Sequence, residues 1–294
     1  MTYYLSWDRD GRDWPHRDAS RFIEAAGLRW HVQIMGQGPV ALLLHGTGAS
    51  THSFRELAPL LAKHFTVVMP DLPGHGFTAT PARSDGFTLP GVSAGIAALL
   101  DLLHMQPVIV VGHSAGAAIA IRMALDGRIE PRVIISLNGA LLPYPIPSSG
   151  IVASAARAVW SSPLTARAFA FMAGAETTVE RMLRGTGSTI DSSGKRYYGR
   201  LANNPGHVAA AMALMANWDL HPLLREIPTL KPHLVLVSGS KDGMVPPSEA
   251  YRIRSVVPNA ELIPLRGLGH LAHEERPNEI AALVERMVPH ETAG

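Results

Sequence analysis

The chain has 294 residues, 47% of them apolar and 17% charged, with a net charge of +2 and no cysteine. This length and composition suit one large α/β domain or two small ones and exclude a disordered chain. They also exclude disulfides and thiolate metal sites, and the balanced charge leaves no basic stripe for nucleic acid.

The opening stretch Met1–Ser20 is rich in Asp, Arg and Trp and lacks an apolar core, so no signal peptide is expected there. No stretch reaches the ~20 apolar residues of a membrane span, and the expected location is the cytoplasm. A strand is predicted over Arg21–Ala25, paired with an alternating strand over Leu28–Met35. Val40–Leu44 is wholly apolar, as befits a strand covered on both faces. Ser53–His64 has helical spacing, Phe65–Met69 is the next strand and Leu89–His104 the next helix. Val108–Val111 and Arg132–Leu137 read as further buried strands.

After Asn138 the rhythm breaks. It resumes with strands over Leu234–Val237 and Glu261–Leu265, a helix over Ser248–Val257 between them, and a closing helix over Asn278–Met287. Such alternation predicts a mostly parallel sheet flanked by helices. The interruption opens with the proline-rich stretch Leu141–Pro147 and continues with helical spacing over Val152–Trp160, Thr165–Met172, Val179–Leu183 and Val208–Trp218. An insertion at this point, over the carboxyl ends of the strands, is expected to be a helical lid. The chain then divides into a core of residues 1–139 and 229–294 and a lid of residues 140–228. Trp160, Phe169, Phe171, Met172, Met182, Met212, Met215 and Trp218 are read mostly as the lid's own core. Adaptable Met-rich surfaces also suit a large, flat, apolar ligand.

Gly112-His113-Ser114-Ala115-Gly116 closes the strand Val108–Val111 and opens a helix-like run. The pentapeptide alone is a weak signal. Between a strand and a helix it is the nucleophile elbow, a sharp turn that exposes the serine hydroxyl. A serine needs a base, and the base needs an orienting carboxylate. Asp242, just beyond the strand Leu234–Val237, is the candidate acid, although a turn aspartate beside Gly243 could also be structural. His270, in a glycine loop after the last strand, is the candidate base. His273, three residues on, is read as structural. The order Ser114, Asp242, His270 fits the elbow's usual partners. An oxyanion hole is expected from the amides of Ala115 and of Thr47, in His45-Gly46-Thr47-Gly48. His45 is read as bracing that loop. The substrate pocket is expected around His45, Gly46, His113, Asn138, Trp160 and Trp218. The chain has no phosphate-binding G-x-x-x-x-G-K-[ST] and no H-E-x-x-H, so no metal and no cofactor are expected.

Gly112–Gly116, His45–Gly48, Asp71-Leu72-Pro73-Gly74-His75-Gly76, Asp242 and His270 together resemble the lidded α/β-hydrolase superfamily over nearly the full length. A narrower resemblance lies in Asp13–Phe22, Leu43–Phe54, Asp71–Thr78, Gly112–Asp126 and Leu137–Ala140. These segments are similar to the magnesium-chelatase accessory proteins of bacteriochlorophyll biosynthesis. That resemblance implies a role in the magnesium-insertion part of tetrapyrrole synthesis. It also implies an apolar small-molecule partner such as a porphyrin or porphyrin ester, contact with magnesium-chelatase subunits, and peripheral attachment to the photosynthetic membrane. Three readings stay open: a serine hydrolase cleaving an ester or acyl bond, a lyase using the same residues, and a porphyrin-binding or chelatase-assisting protein on a hydrolase scaffold. Fold alone does not choose between them.

Overall fold

Eight strands form one sheet in the spatial order β1-β2-β4-β3-β5-β6-β7-β8. The computed structural model describes residues 3–143, 163–173 and 176–287. The strands are β1 (Ser20–Ala25), β2 (Leu28–Met35), β3 (Val40–Leu44), β4 (Thr66–Pro70), β5 (Pro107–His113), β6 (Val133–Leu137), β7 (His233–Gly239) and β8 (Ala260–Leu265). β1 and β2 form an antiparallel hairpin, and β2 runs antiparallel to β4. From β4 to β8 every pairing is parallel. This is the mostly parallel sheet that the alternating pattern predicted.

The parallel strands are apolar throughout because both faces are covered. Side chains alternate between the two faces along each strand. Leu42, Leu44, Val110, Ile134, Leu234 and Leu236 point to one layer, where α3 (Leu89–Leu102) and α4 (Ala115–Leu125) pack. Ala41, Leu43, Ile109, Val111, Ile135 and Val237 point to the other, formed with α2 (Leu57–Leu61) and α12 (Pro277–Met287). α10 (Pro247–Val256) crosses between β7 and β8, and the four-residue α11 (Ala272–Glu275) precedes α12. The Thr88 hydroxyl caps α3 by accepting from the Gly91 amide, and Pro90 occupies the first turn, where its missing N–H costs nothing.

The predicted helix over Ser53–His64 is not continuous. A 3₁₀ turn at Thr51–Phe54 leads into the short α2. Tertiary partners compete with helical propagation here. The Thr51 amide donates to the Asp71 carboxylate at 2.7 Å, and Arg55 turns inward to meet Glu274.

The N-terminal segment carries a four-residue helix, α1 (Trp7–Asp10), and then crosses the hairpin. Trp14 is buried and its indole donates to Thr51 Oγ1 at 3.1 Å. Gln33 donates to the Pro15 carbonyl at 2.7 Å, and Tyr197, from the inserted helices, donates to the Asp13 carbonyl at 2.8 Å. Trp7, Trp14, Phe22, Phe77 and Tyr197 form a separate aromatic cluster. The Asp13–Phe22 segment thus ties the hairpin to the insertion.

Between β6 and β7 the described residues form α5 (Pro163–Ala173), α6 (Glu176–Gly185), α7 (Ser192–Ala202), α8 (Pro205–Ala216) and α9 (His221–Glu226). α7 and α9 were not expected. α7 is polar and carries two glycines, but Asp191 caps it and Tyr197 and Leu201 anchor it. The expected helix over Val152–Trp160 lies outside the described residues. Phe169, Phe171, Met172, Met182 and Met215 do not form the insertion's core as expected; all are exposed. The facing positions of α5 and α8 are filled instead by Ala166, Ala170, Val208 and Met212. Alanines bring the two helices close, and the larger side chains of α5 are left outside. No helix among the described residues is long and apolar enough to cross a membrane.

Trp30 is fully buried; its indole donates to the Ala25 carbonyl at 3.0 Å, and its ring lies under Gly95 of α3. Trp30→Ala removes both the packing and the hydrogen bond. A stability loss of about 3–5 kcal/mol is expected in chemical denaturation.

Candidate active site

β5 ends at His113, and the chain turns through Ser114 into α4. Ser114 has φ 52° and ψ −117°, a conformation that costs a non-glycine residue of order 1–3 kcal/mol. The turn is held on both sides. The Ser114 amide donates to the Leu137 carbonyl at 3.0 Å, and its carbonyl accepts from Ala117 and Ala140 at 3.1 and 3.2 Å. The flanking glycines permit the close approach. A Cβ on Gly116 would collide with the Leu44 carbonyl, and one on Gly112 would lie 2.5 Å from the Ala117 backbone. Ala115 opens α4, so its amide has no partner within the helix and faces outward at a partly positive terminus.

Asp242 follows β7 and His270 follows β8, at the same carboxyl edge. His270 Nδ1 donates to Asp242 Oδ2 at 2.8 Å. The same oxygen accepts from Asn138 Nδ2 at 2.7 Å. The other carboxylate oxygen accepts from the amides of Met244 and Val245 at 2.8 and 2.9 Å. Asp242 is therefore a buried acceptor with four donors. Asn138 follows β6 directly in the left-handed conformation, φ 47°, and its amide donates to the Val237 carbonyl at 2.8 Å. The sequence places Asn138 in the substrate pocket; here its side chain pairs with Asp242.

His113 links the elbow to His270. Its Nε2 donates to the His270 carbonyl at 2.9 Å, and the two rings lie 4.7 Å apart. Its ring also lies 4.5 Å from that of His273. His273 sits on α11, fully buried, with neither ring nitrogen hydrogen-bonded, and packs on Phe54 at 5.2 Å. It contacts neither Asp242 nor Ser114 through a hydrogen bond.

The loop after β3 lies beside Ser114. A Cβ on Gly46 would stand 2.9 Å from the Ser114 Cβ and 3.0 Å from the His113 ring. Only glycine fits between them. His45 is buried; its Nδ1 donates to the Gly46 carbonyl at 2.8 Å and its Nε2 accepts from the Leu72 amide at 2.9 Å. It braces the Gly46–Thr47 loop against the loop after β4. His207, from α8, adds a second brace. Its Nε2 donates to the Gly48 carbonyl and its Nδ1 accepts from the Gly76 amide, both at 3.1 Å. Trp218 is half-buried and packs against the core layer that contains Leu214 and Leu220. Trp160 lies outside the described residues.

Asp71, at the end of β4, anchors the far side. Burial alone would raise its pKa, but His31 Nδ1 at 2.7 Å and the amides of Thr51 and Phe77 hold it well below the usual carboxylate range. Around the site, burial pushes His45, His52, His75 and His113 below the ordinary imidazole value. It takes His207 down to about 4 and His273 to about 3. Among the described residues no cluster of three or more His, Asp or Glu could hold a metal ion.

Sequence reading missed three contributors. His207 lies far from the motifs, Glu275 follows His270 closely but carries no motif of its own, and the turn Thr186–Ser188 of the insertion touches the loops that carry Asp242 and His270. A glycine-rich turn is visible in the sequence, but its partners are not.

These neutral imidazoles make stability depend on pH. The unfolded chain protonates them near pH 6.5, while the fold keeps them neutral, so the unfolded state binds more protons below that pH. Each contributes a loss of at most about 1.4 kcal/mol per pH unit, reached once the unfolded imidazole is fully protonated while the folded one stays neutral. Glu274 opposes this, since burial lifts its carboxyl to about 7 against the pull of Arg55; one carboxyl is outweighed by six imidazoles. Thermal melts are expected to show a steep fall in midpoint from pH 6.5 to 5. His273→Phe, which keeps the stacking, should make that fall shallower by one proton's worth.

A family model for the alpha/beta hydrolase fold matches residues 39–277. The chain is 35% identical over 274 residues to the Magnesium-chelatase 30 kDa subunit of Rhodobacter capsulatus, covering 92% of this chain and 95% of that one. It is 25% identical to the Pimeloyl-[acyl-carrier protein] methyl ester esterase of Xylella fastidiosa, covering 88% of this chain and 98% of that one. Among solved structures, potato (Solanum tuberosum) epoxide hydrolase I superposes with a TM-score of 0.74 at 21% identity, over 91% of this chain and 98% of that one. The last likeness speaks to fold alone. The sheet order, the elbow at the end of β5 and these matches together make the chain a member of the α/β hydrolase fold family.

Proposed function

We propose that this protein is a serine hydrolase in which Ser114 is the nucleophile, His270 the general base and Asp242 its orienting carboxylate. The observation that carries the reading is the 2.8 Å hydrogen bond from His270 Nδ1 to Asp242, on the sheet edge where Ser114 sits in a strained turn. With Nδ1–H committed to the carboxylate, His270 Nε2 is left with its lone pair free to take the serine proton. The serine oxygen then attacks the carbonyl carbon of an ester or acyl bond. Negative charge on the carbonyl oxygen is met by the amides of Ala115 and Thr47. His270 passes its proton to the leaving group, and water completes the second half-reaction by the same route in reverse.

Similarity to the Magnesium-chelatase 30 kDa subunit supports a place in magnesium insertion during chlorophyll biosynthesis. The substrate class that fits is an apolar ester, with a porphyrin side-chain ester as the leading case. The inserted helices, within residues 140–228, form the lid over a core of residues 1–139 and 229–294. Exposed Leu164, Phe169, Phe171 and Met172 on α5 support a peripheral contact of that lid with membrane or partner. The same similarity also favours a second reading, in which the site binds a porphyrin and assists the chelatase without turnover.

Ser114→Ala should abolish hydrolysis of a p-nitrophenyl ester and labelling by a fluorophosphonate, with the melting temperature little changed, because alanine keeps the Cβ and the backbone conformation of the turn. Asp242→Asn should lower kcat by about 10³–10⁴-fold, because the imidazole loses its fixed tautomer. Saturable porphyrin binding by both variants, alongside a wild type that neither turns over esters nor reacts with fluorophosphonate, would select the second reading.

A further inference from the structure

The turn between α6 and α7 belongs to the insertion, yet it lies between the two loops that carry Asp242 and His270. The Thr186 carbonyl accepts two hydrogen bonds at once, from the His270 amide at 2.9 Å and from the Gly243 amide at 3.2 Å. One oxygen therefore joins the residue proposed as base to the residue following the proposed acid. Ser188 is buried, and its hydroxyl accepts from the Leu271 amide at 2.8 Å. Glu275 closes the arrangement from the other side. Its carboxylate accepts from the Gly269 amide at 2.8 Å and the Thr189 amide at 3.2 Å.

Three glycines make the approach possible. Gly187 has φ 77°, and a Cβ there would collide with the Lys241 carbonyl. A Cβ on Gly243 would strike the Gly185 carbonyl, and one on Gly269 would strike Ser188. The backbones touch without intervening side chains, so the turn has little room to slide. The turn is also internally stapled, because Thr186 Oγ1 donates to the Leu183 carbonyl and accepts from the Ser188 amide. A short distance away, Arg55 pairs with both Glu274 and Asp191, and Tyr198 donates to Glu274 at 2.7 Å. The insertion is thus pinned to the body next to the base.

We propose that Thr186-Gly187-Ser188 is a positioning element that holds the Asp242 and His270 loops in register, so that the insertion sets the geometry of the acid–base pair as well as covering it. The main chain of His270 is then fixed at both ends, its amide by Thr186 and its carbonyl by His113. The inference rests on the proposed roles of His270 and Asp242, and its test separates the two.

The variants are Ser188→Ala, Ser188→Thr and Gly187→Ala, each compared with the wild type in two measurements. The first is the His270 ring by NMR: its titration and the downfield Nδ1–H proton shared with Asp242. The second is the rate and pH profile of fluorophosphonate labelling at Ser114. Ser188→Ala should shift the His270 titration, weaken the downfield proton and slow labelling at least tenfold, with a displaced pH profile. Ser188→Thr, which keeps the hydroxyl, should restore both. Gly187→Ala should be more severe; if it does not fold, the serine pair still decides. An unchanged His270 titration and labelling profile in Ser188→Ala would overturn the proposal. A wild type that resists labelling, with a His270 signal that still responds to Ser188→Ala, would remove the serine-hydrolase reading and leave the positioning role standing.

Discussion

The carboxyl edge of the sheet is organised around one buried carboxylate. Asp242 takes hydrogen bonds from Asn138 after β6, from two amides of its own loop after β7, and from His270 after β8. Three strand ends are thereby fixed to two oxygen atoms. A buried carboxylate tolerates such a position only when its lone pairs are used, and each donor it gains makes the charged form cheaper to bury. The cost is rigidity: none of the three loops can shift without leaving an unpaired charge. That rigidity is what the proposed acyl chemistry would require, because the donors must stand where charge develops before it does.

A second carboxylate, Asp71, does the same on the opposite flank. It joins the hairpin through His31, the loop after β3 through Thr51, and its own turn through Phe77. Between the two carboxylates lies a layer of buried, neutral imidazoles. His45 and His207 spend both ring nitrogens on backbone groups of the loops beside Ser114. A neutral imidazole suits this purpose because it donates from one nitrogen and accepts at the other, bridging two loops without adding charge. The strained serine is held from below by backbone contacts and from the side by this layer.

The insertion is attached more firmly than its place between β6 and β7 suggests. α8 reaches the Gly46–Gly48 loop through His207, α7 reaches the N-terminal segment through Tyr197 and Arg200, and the α6–α7 turn reaches the loops that carry Asp242 and His270. Its outer surface is different. α5 directs alanines inward and Leu164, Phe169, Phe171 and Met172 outward. The inserted helices therefore combine a fixed inner side with an apolar outer one, which is the division expected of an element that both shapes a site and meets something beyond it.

Much of the sheet was legible in the residues alone. Val40–Leu44 has the bounds read from its apolar run, and the other parallel strands differ by a few residues at their ends. Continuous apolar runs are forced by burial on two faces, and that is a local property of the chain. The elbow was legible too, because Gly116 is needed where the helix passes within contact of the Leu44 carbonyl and Gly112 where the first turn of that helix folds back on the strand. The positions of Ser114, Asp242 and His270 after strands followed from the same punctuation. Local pattern failed where distant partners intervened. Ser53–His64 has helical spacing, but Asp71 captures the Thr51 amide just ahead of it and Glu274 captures Arg55 within it. α7 has a weak helical pattern, but Tyr197 and Leu201 find a cluster assembled from three separate segments. His45 was legible as a brace of its own loop, but the partner of Asn138, the double hydrogen bond at Thr186, the Leu72 amide that His45 braces against and the bridging of loops by His207 could not be read from the residues. Side-chain period and turn chemistry act over a few residues and decide which elements form. The loops after β3, β5, β6, β7 and β8 become neighbours only through the order of strands in the sheet, and that order, with the close backbone approach it imposes, decides which polar groups meet.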